Sequence, residues 1–170
     1  SCTHGGGNSE EPVRIGKIEK FVIEYQYATE GIPLGDVAPD TGKRIAVVGA
    51  GPSGLTVAES LRRKGHAITV YDANPFPGGL LIYGIPAFKL SKDRVAAKVS
   101  QLNQLGIEFV METRIGEEIS LQQLSDEFDA VYLGVGANLE APAKWEGAEL
   151  NGVYQAGEYL IRSNVPCELQ

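Results

Sequence analysis

The spacing of apolar positions along the chain changes several times, and each change marks an element. Within VRIGKIEKFVIEYQYA, Ile18, Phe21, Val22 and Tyr25 fall at the i, i+3, i+4, i+7 spacing of an amphipathic helix. The following EGIPLGDVAPDTG, with its prolines and glycines, predicts an irregular connector. From Lys43 short apolar runs alternate with helical stripes. Arg44 to Val48 (RIAVV) and Ala67 to Tyr71 (AITVY) read as strands buried on both faces of a parallel sheet. Between them, Leu55, Ala58 and Leu61 stripe a helix over Pro52 to Lys64 that stops at Gly65. Asn74 to Leu90 is expected to be irregular. Val95, Val99, Leu102 and Leu105 mark a helix that opens after Ser91 and stops at Gly106, and Ile107 to Val110 is a third strand. Ser120 with Gln123 forms a capping box, Asp129 to Val135 (DAVYLGV) is a fourth strand, and Gly157 to Ser163 suits a last helix. This succession predicts an α/β fold, a parallel sheet with flanking helices joined by right-handed crossovers.

Composition narrows the function classes. The chain has 170 residues, 43% hydrophobic and 22% charged, which describes a globular protein. Fifteen basic against 22 acidic residues, a net charge of −7, argue against nonspecific nucleic-acid or anionic-membrane binding. No apolar run suits a membrane helix and no signal peptide is visible, so a cytoplasmic location is expected. Cys2 and Cys167 make no disulfide framework. Cys2 with His4 supplies too few ligands for a metal site, and no metal site is expected. Arg62, Arg63 and Lys64 read as cations at a helix C-terminus rather than a phosphate patch. His66 reads as a solvated turn residue and Trp145 as packing the loop after the fourth strand.

The candidate chemistry lies at the first strand-to-helix junction, Gly49-Ala50-Gly51-Pro52-Ser53-Gly54. In that context G-x-G-x-x-G has a physical reading: Gly49 for the turn, Gly51 for close approach of a pyrophosphate, Gly54 for helix–strand packing. Pro52 suits the first helical turn, and the free amides and the helix dipole favour an anion. Asp72, directly after the second strand, suits the ribose hydroxyls of an adenosine and would repel a 2′-phosphate. NAD or FAD therefore fits better than NADPH at this site. Gly78 and Gly79, with the apolar GGLLIYGIPAFKL, favour the longer, flat-ringed FAD. No Ser–His–Asp, Cys–His or paired-carboxylate arrangement is present, so no catalytic side chain is assigned; in a flavoprotein the cofactor carries the redox chemistry.

Together, PVRIGKIEKF, GAGPSG and PGGLLIYGIP closely resemble the glutamate synthase small (β) subunit family, whose relatives include the N-terminal region of dihydropyrimidine dehydrogenase and NADPH-dependent ferredoxin oxidoreductase subunits. The likeness runs over about residues 10 to 164, through LGIEF, DAVYLGVGA and WEGAELNGVY. It implies a Rossmann-like FAD-binding domain over residues 43–170, incomplete at its C-terminal side, preceded over residues 1–42 by an arm with a linker helix at the junction with an iron–sulfur domain. By position, it implies that Gly49, Gly51, Pro52, Ser53 and Gly54 meet the FAD pyrophosphate and Asp72 the ribose. Gly79 and Leu80 would line the ribityl path, Gly84, Ile85 and Lys89 would lie nearer the flavin, Thr113 would meet the adenine, and Gly136 would pass close to the cofactor. In the whole protein, NADPH would pass a hydride to FAD, which would release electrons to iron–sulfur clusters and a partner subunit. The NADPH domain and the cysteine run are missing from this sequence, which is therefore expected to be a fragment, not fully active alone. Two alternatives stand: another branch of the family (dihydropyrimidine dehydrogenase-like, or a ferredoxin:NADP subunit), or a non-catalytic module holding NAD or FAD.

Overall fold

A computed structural model describes residues 13–137, 141 and 144–165. The chain divides into two compact units at the Pro33–Leu34 boundary. The first contains helix α1 (Ile15–Thr29), in which the rings of Phe21 and Tyr25, one turn apart, stack with centroids 6.2 Å apart.

The second unit is built on β1 (Arg44–Val48), α2 (Pro52–Arg63), β2 (Ala67–Tyr71), α3 (Leu80–Tyr83), α4 (Lys92–Gln104), β3 (Glu108–Val110), α5 (Leu121–Glu127), β4 (Ala130–Leu133) and α6 (Ala156–Asn164). The four strands form one parallel sheet in the order β3-β2-β1-β4. The chain thus moves from β1 out through β2 to β3, then crosses to the other side of β1. The reversal opens a crevice at the C-terminal ends of β1 and β4, the place where open α/β sheets bind ligands.

Alternation along β1 explains why its apolar run is continuous. Ile45 and Val47, with Ile68 and Val70 of β2, pack against Leu55 and Ala58 of α2 and Leu102 and Leu105 near α4. Ala46, Val48 and Tyr71 point the other way, onto Leu124 and Phe128, where the Tyr71 and Phe128 rings meet edge-on at 6.3 Å. Both α2 and α4 end in a Schellman motif. His66 N–H donates to the Leu61 carbonyl and Ile107 N–H to that of Leu102, at 3.3 and 3.1 Å, with Gly65 and Gly106 in the left-handed conformation that the motif requires. The capping box is formed: Gln123 N donates to Ser120 Oγ at 3.1 Å and Ser120 N to Gln123 Oε1 at 2.8 Å.

The segment before β1 is irregular, as its prolines and glycines dictate, yet it is anchored. Val37 packs on the α2/α4 core, Ala38 N donates to the Arg63 carbonyl at 2.9 Å, and Thr41 N donates to that of Gly65 at 3.1 Å. Two expectations change. Residues 74–90 are not wholly irregular, since Leu80–Tyr83 closes one helical turn. Trp145 is 66% exposed and packs little.

Helices α2 and α4 are also joined electrostatically. Glu59 is bridged to Arg63 at 2.9 Å and to Lys98 at 2.6 Å. Burial disfavours its charge, but the hydrogen bonds from Lys98 and Arg63 outweigh that and hold its carboxyl below the ordinary value of 4.5. A depressed carboxyl stabilises the fold above its unfolded pKa and loses that contribution as pH falls through the folded value. Glu59→Gln is accordingly expected to cost about 0.5–1 kcal/mol at neutral pH after solvent screening. In urea titrations across pH, the gap to wild type should hold above pH 4.5 and narrow below it. A gap independent of pH would remove the ionised bridge as its cause.

Candidate functional site

The loop from β1 to α2 is held from three sides. Gly49 N donates to the Tyr71 carbonyl of β2 at 2.7 Å, Gly134 N to the Val48 carbonyl at 2.7 Å, and Gly78 N to the Ala50 carbonyl at 2.7 Å. The glycines in it do different jobs. A Cβ on Gly49 would strike the Gly134 carbonyl, and one on Gly54 the carbonyl of Gly49, so these two serve the packing of protein on protein. Gly51 does not. Its φ of −76° and ψ of −178° suit any residue, and a Cβ there would meet only the Gly79 Cα, at 4.0 Å. Neither backbone conformation nor neighbouring protein atoms require a glycine at 51; the bare backbone faces open space.

That space is a cleft of about 340 Å³ lined by the α2 start (Gly51, Pro52, Ser53), the β2 end (Asp72, Asn74), the α3 start (Gly79, Leu80) and the strand exit from Leu133 to Ala137. Amides in the first turn of α2 have no intrahelical carbonyl to reach, and Pro52 stands at the first helical position. The helix dipole places partial positive charge at the same point. The cleft continues into a smaller arm of about 150 Å³ between α3 and α6, sharing Asn74, Gly79, Leu80 and Ala137 and adding Tyr83, Gly84, Gly157 and Ile161. Around the mouth, Leu80, Leu133 and Val135 are 62%, 56% and 61% exposed. Apolar side chains are thus held in water beside a polar cradle, a pattern typical of small-molecule sites.

Asp72 sits at the cleft floor and is wired into it. Its Oδ2 accepts from Ala50 N at 2.7 Å, while Oδ1 accepts from Asn74 N at 2.8 Å and Asn74 Nδ2 at 2.9 Å. A carboxylate has about four lone-pair sites, so acceptor capacity remains for a hydroxyl in the cleft. Ser53 Oγ is 2.7 Å from Tyr132 Oη of β4, a contact that orients the hydroxyl at the helix start.

Of the residues singled out by sequence, Gly51, Pro52, Ser53, Asp72, Gly79, Leu80 and Gly136 line the cleft and Gly84 lines its arm. Gly49 and Gly54 shape it from behind. Ile85, Lys89 and Thr113 are not in its wall. The Ile85 carbonyl is bonded by Lys92, exposed Lys89 lies over the Phe88 ring at 5.9 Å, and Thr113 donates its amide to the Asp72 carbonyl at 2.9 Å. Asn74, Tyr83, Leu133, Val135, Gly157 and Ile161 join the site without having been singled out. Asn74 alone had a local signal: it follows an Asp at the spacing of an Asx turn.

Arg62 and His66 have partners within the fold. Arg62 Nε donates to the Leu105 carbonyl at the end of α4 at 2.7 Å, and His66, following the Gly65 turn, has its Nδ1 2.6 Å from Thr41 Oγ1 in an exposed contact. Cys2, His4 and Cys167 lie outside the described residues. Among the described residues no group of three His, Cys, Asp or Glu side chains stands ready for a metal, and no helix is long and apolar enough to cross a membrane.

Comparison with known proteins finds similarity over most of the chain. A profile of the NAD(P)-binding Rossmann-like domain matches residues 47–84, from β1 through α3. The glutamate synthase (NADPH) small chain of Bacillus subtilis is 40% identical over 152 residues, covering 89% of this chain and 31% of that protein. The Escherichia coli glutamate synthase (NADPH) small chain is 38% identical over 149 residues, 88% of this chain and 32% of that protein. Among solved structures, the Mycobacterium tuberculosis oxidoreductase FprA in complex with NADPH superposes with a TM-score of 0.60 at 25% identity, covering 72% of this chain and 28% of FprA. The chain spans about a third of the length of the small chains it matches. The chain carries a Rossmann-like parallel sheet, and over 88–89% of its own length it is homologous to glutamate synthase small chains.

Proposed function

We propose that this chain is the FAD-binding part of an NADPH-dependent electron-transfer oxidoreductase of the glutamate synthase small-chain type. The single observation that carries the reading is Gly51, whose bare backbone faces the open cleft although neither its backbone conformation nor neighbouring protein atoms require a glycine there. The cleft with its adjoining arm supports a ligand longer than a mononucleotide, and the acidic floor at Asp72 supports an unphosphorylated adenosine ribose. On this reading Gly51, Ser53 and the first amides of α2 receive the pyrophosphate, Asp72 accepts from the ribose hydroxyls, and Gly79, Leu80 and Gly84 flank the part beyond. A bound flavin supplies the exchange between two-electron and one-electron carriers. The protein's part is to bind and orient it and to keep water from its buried portion. The reductant's domain, the iron–sulfur clusters and a partner large chain belong to the proposal for the whole protein.

A second reading, a module that holds NAD rather than FAD, draws on the NAD(P)-binding domain match. Equilibrium titration of the folded chain with FAD, NAD, NADP and ADP separates the two. The first reading expects FAD to bind tightest and NADP weakest; NAD binding tighter than FAD would favour the second. A chain folded by circular dichroism that takes up none of the four defeats both. Asp72→Ala is expected to weaken ADP about tenfold, or about 1.4 kcal/mol. It should also lower stability by about 1–3 kcal/mol, because the Ala50 and Asn74 amides lose their acceptor. Unchanged ADP affinity would take Asp72 out of the site.

A further inference from the structure

Helix α3 is a single turn of four residues, far below the length at which a helix is stable alone. Gly79 and Leu80 face the cleft, and Tyr83 and Gly84 face its arm. Behind the same turn lies a second hollow, a groove of about 510 Å³ lined by Phe76, Pro77, Ile82, Lys92, Val99 and Asn164 among others. The wall between cleft and groove is therefore one backbone turn with open space on both sides. None of its four residues is fully buried, so polar ties add to the packing that fixes it.

Those ties converge on its last carbonyls. Lys92, at the start of α4, donates from Nζ to the carbonyl oxygens of Leu81, at 2.9 Å, and Ile85. Asn164, at the end of α6, donates from Nδ2 to the Tyr83 carbonyl at 3.1 Å. Burial lowers the Lys92 pKa, in keeping with an ammonium withdrawn from water onto backbone oxygens. The Tyr83 hydroxyl ties back to the Phe76 amide at 2.9 Å. The adenosine side of the cleft is held differently, by β1, β2 and the Asp72–Ala50 bond, none of which involves Lys92 or Asn164.

We propose that Lys92 and Asn164 are positioning residues for the dinucleotide, gripping the 81–85 carbonyls from behind so that the Gly79–Gly84 wall stands ready for the half of the ligand beyond the adenosine. The proposal rests on the nucleotide-site reading above. It predicts a selective defect. Lys92→Met should weaken FAD about tenfold while ADP stays within about twofold, and Lys92→Arg, which retains donors for carbonyls, should recover most of the FAD affinity. Asn164→Ala should weaken FAD about threefold with ADP again little changed. Hydrogen exchange read without ligand should show faster exchange at residues 80–85 in Lys92→Met and Asn164→Ala.

The measurements use the 170-residue chain, with FAD and ADP titrated in parallel and Glu59→Gln as a control for general loss of stability. FAD and ADP weakened in equal proportion, FAD affinity unchanged in both variants, or exchange at 80–85 unaltered would each overturn the positioning role while leaving the nucleotide site standing. Wild type that binds ADP but not FAD overturns the positioning role and the FAD assignment together. Wild type that binds neither overturns the nucleotide site itself. Should Lys92→Met fail to fold, Asn164→Ala decides the matter on the same readouts.

Discussion

Gly51→Val is expected to abolish nucleotide binding while leaving the fold intact. The two effects separate because of where the side chain would go. At φ −76° and ψ −178° valine meets no backbone strain, and the nearest heavy atom to its Cβ outside its chain neighbours is the Gly79 Cα at 4.0 Å. The methyl groups would extend into the cleft between α2 and α3, where the pyrophosphate is proposed to lie. A phosphate held by helix-terminal amides needs direct contact with the backbone, and a branched side chain keeps it away. A loss of at least about a hundredfold in FAD and ADP affinity, about 2.7 kcal/mol, should accompany an unfolding midpoint in urea little changed from wild type. Normal binding by this variant would mean that nothing approaches Gly51 closely, and the proposed function would lose its main support.

Much of the fold could be read from the residues, because it rests on local patterns that the tertiary structure reinforces. RIAVV and AITVY are strands because a parallel sheet buried on both faces asks for continuous β-branched runs, and their limits as read from sequence coincide with β1 and β2. Gly65 and Gly106 stop helices through Schellman geometry, and Ser120 caps one through its own hydroxyl. The turn at α3 was not legible for a related reason: LLIY between glycines has no cap or periodicity of its own, and side chains from Lys92 and Asn164 hold its carbonyls. The contribution of Val37 to the core is likewise a tertiary matter, since nothing in a Pro- and Gly-rich connector marks one valine for burial.

The candidate site divides along the same line. Its phosphate end lies within one strand–turn–helix unit, so the glycine spacing places it. Its far arm is assembled from α3, α6 and the exit of β4, elements far apart in sequence. Gly157 and Ile161 enter it by the docking of α6, and no motif announces them. The glycine pattern also does not say which glycine serves a ligand and which serves packing. That distinction needs the neighbours of each missing Cβ: an open cleft at 51, the protein's own backbone at 49 and 54.

Gly54→Ala should therefore have the opposite signature to Gly51→Val, losing stability first. Two effects compete at position 54. Alanine favours a helix interior over glycine by about 1 kcal/mol. Against that, its Cβ would press on the Gly49 carbonyl oxygen and stand 3.2 Å from Val47 Cγ1. The carbonyl has little freedom to retreat, because the Gly49 amide is bonded to Tyr71 at 2.7 Å and the Gly134 backbone stands on the other side of the residue. Relief has to come from α2 moving away from β1, which would unseat Leu55 and the fully buried Ala58 from the core. Overpacking of this kind costs about 1–3 kcal/mol, occasionally more, and here it acts against backbone rather than a flexible side chain, so the clash outweighs the propensity gain. Urea unfolding is expected to show a lower midpoint at an unchanged slope, a loss of about 1–2 kcal/mol of stability after the propensity gain is set against the clash. Nucleotide affinity should fall as well, since the displaced helix carries the phosphate-facing amides with it. Stability equal to wild type would show that α2 has slack against the sheet, and the division of labour between Gly51 and Gly54 would then fail at its structural half.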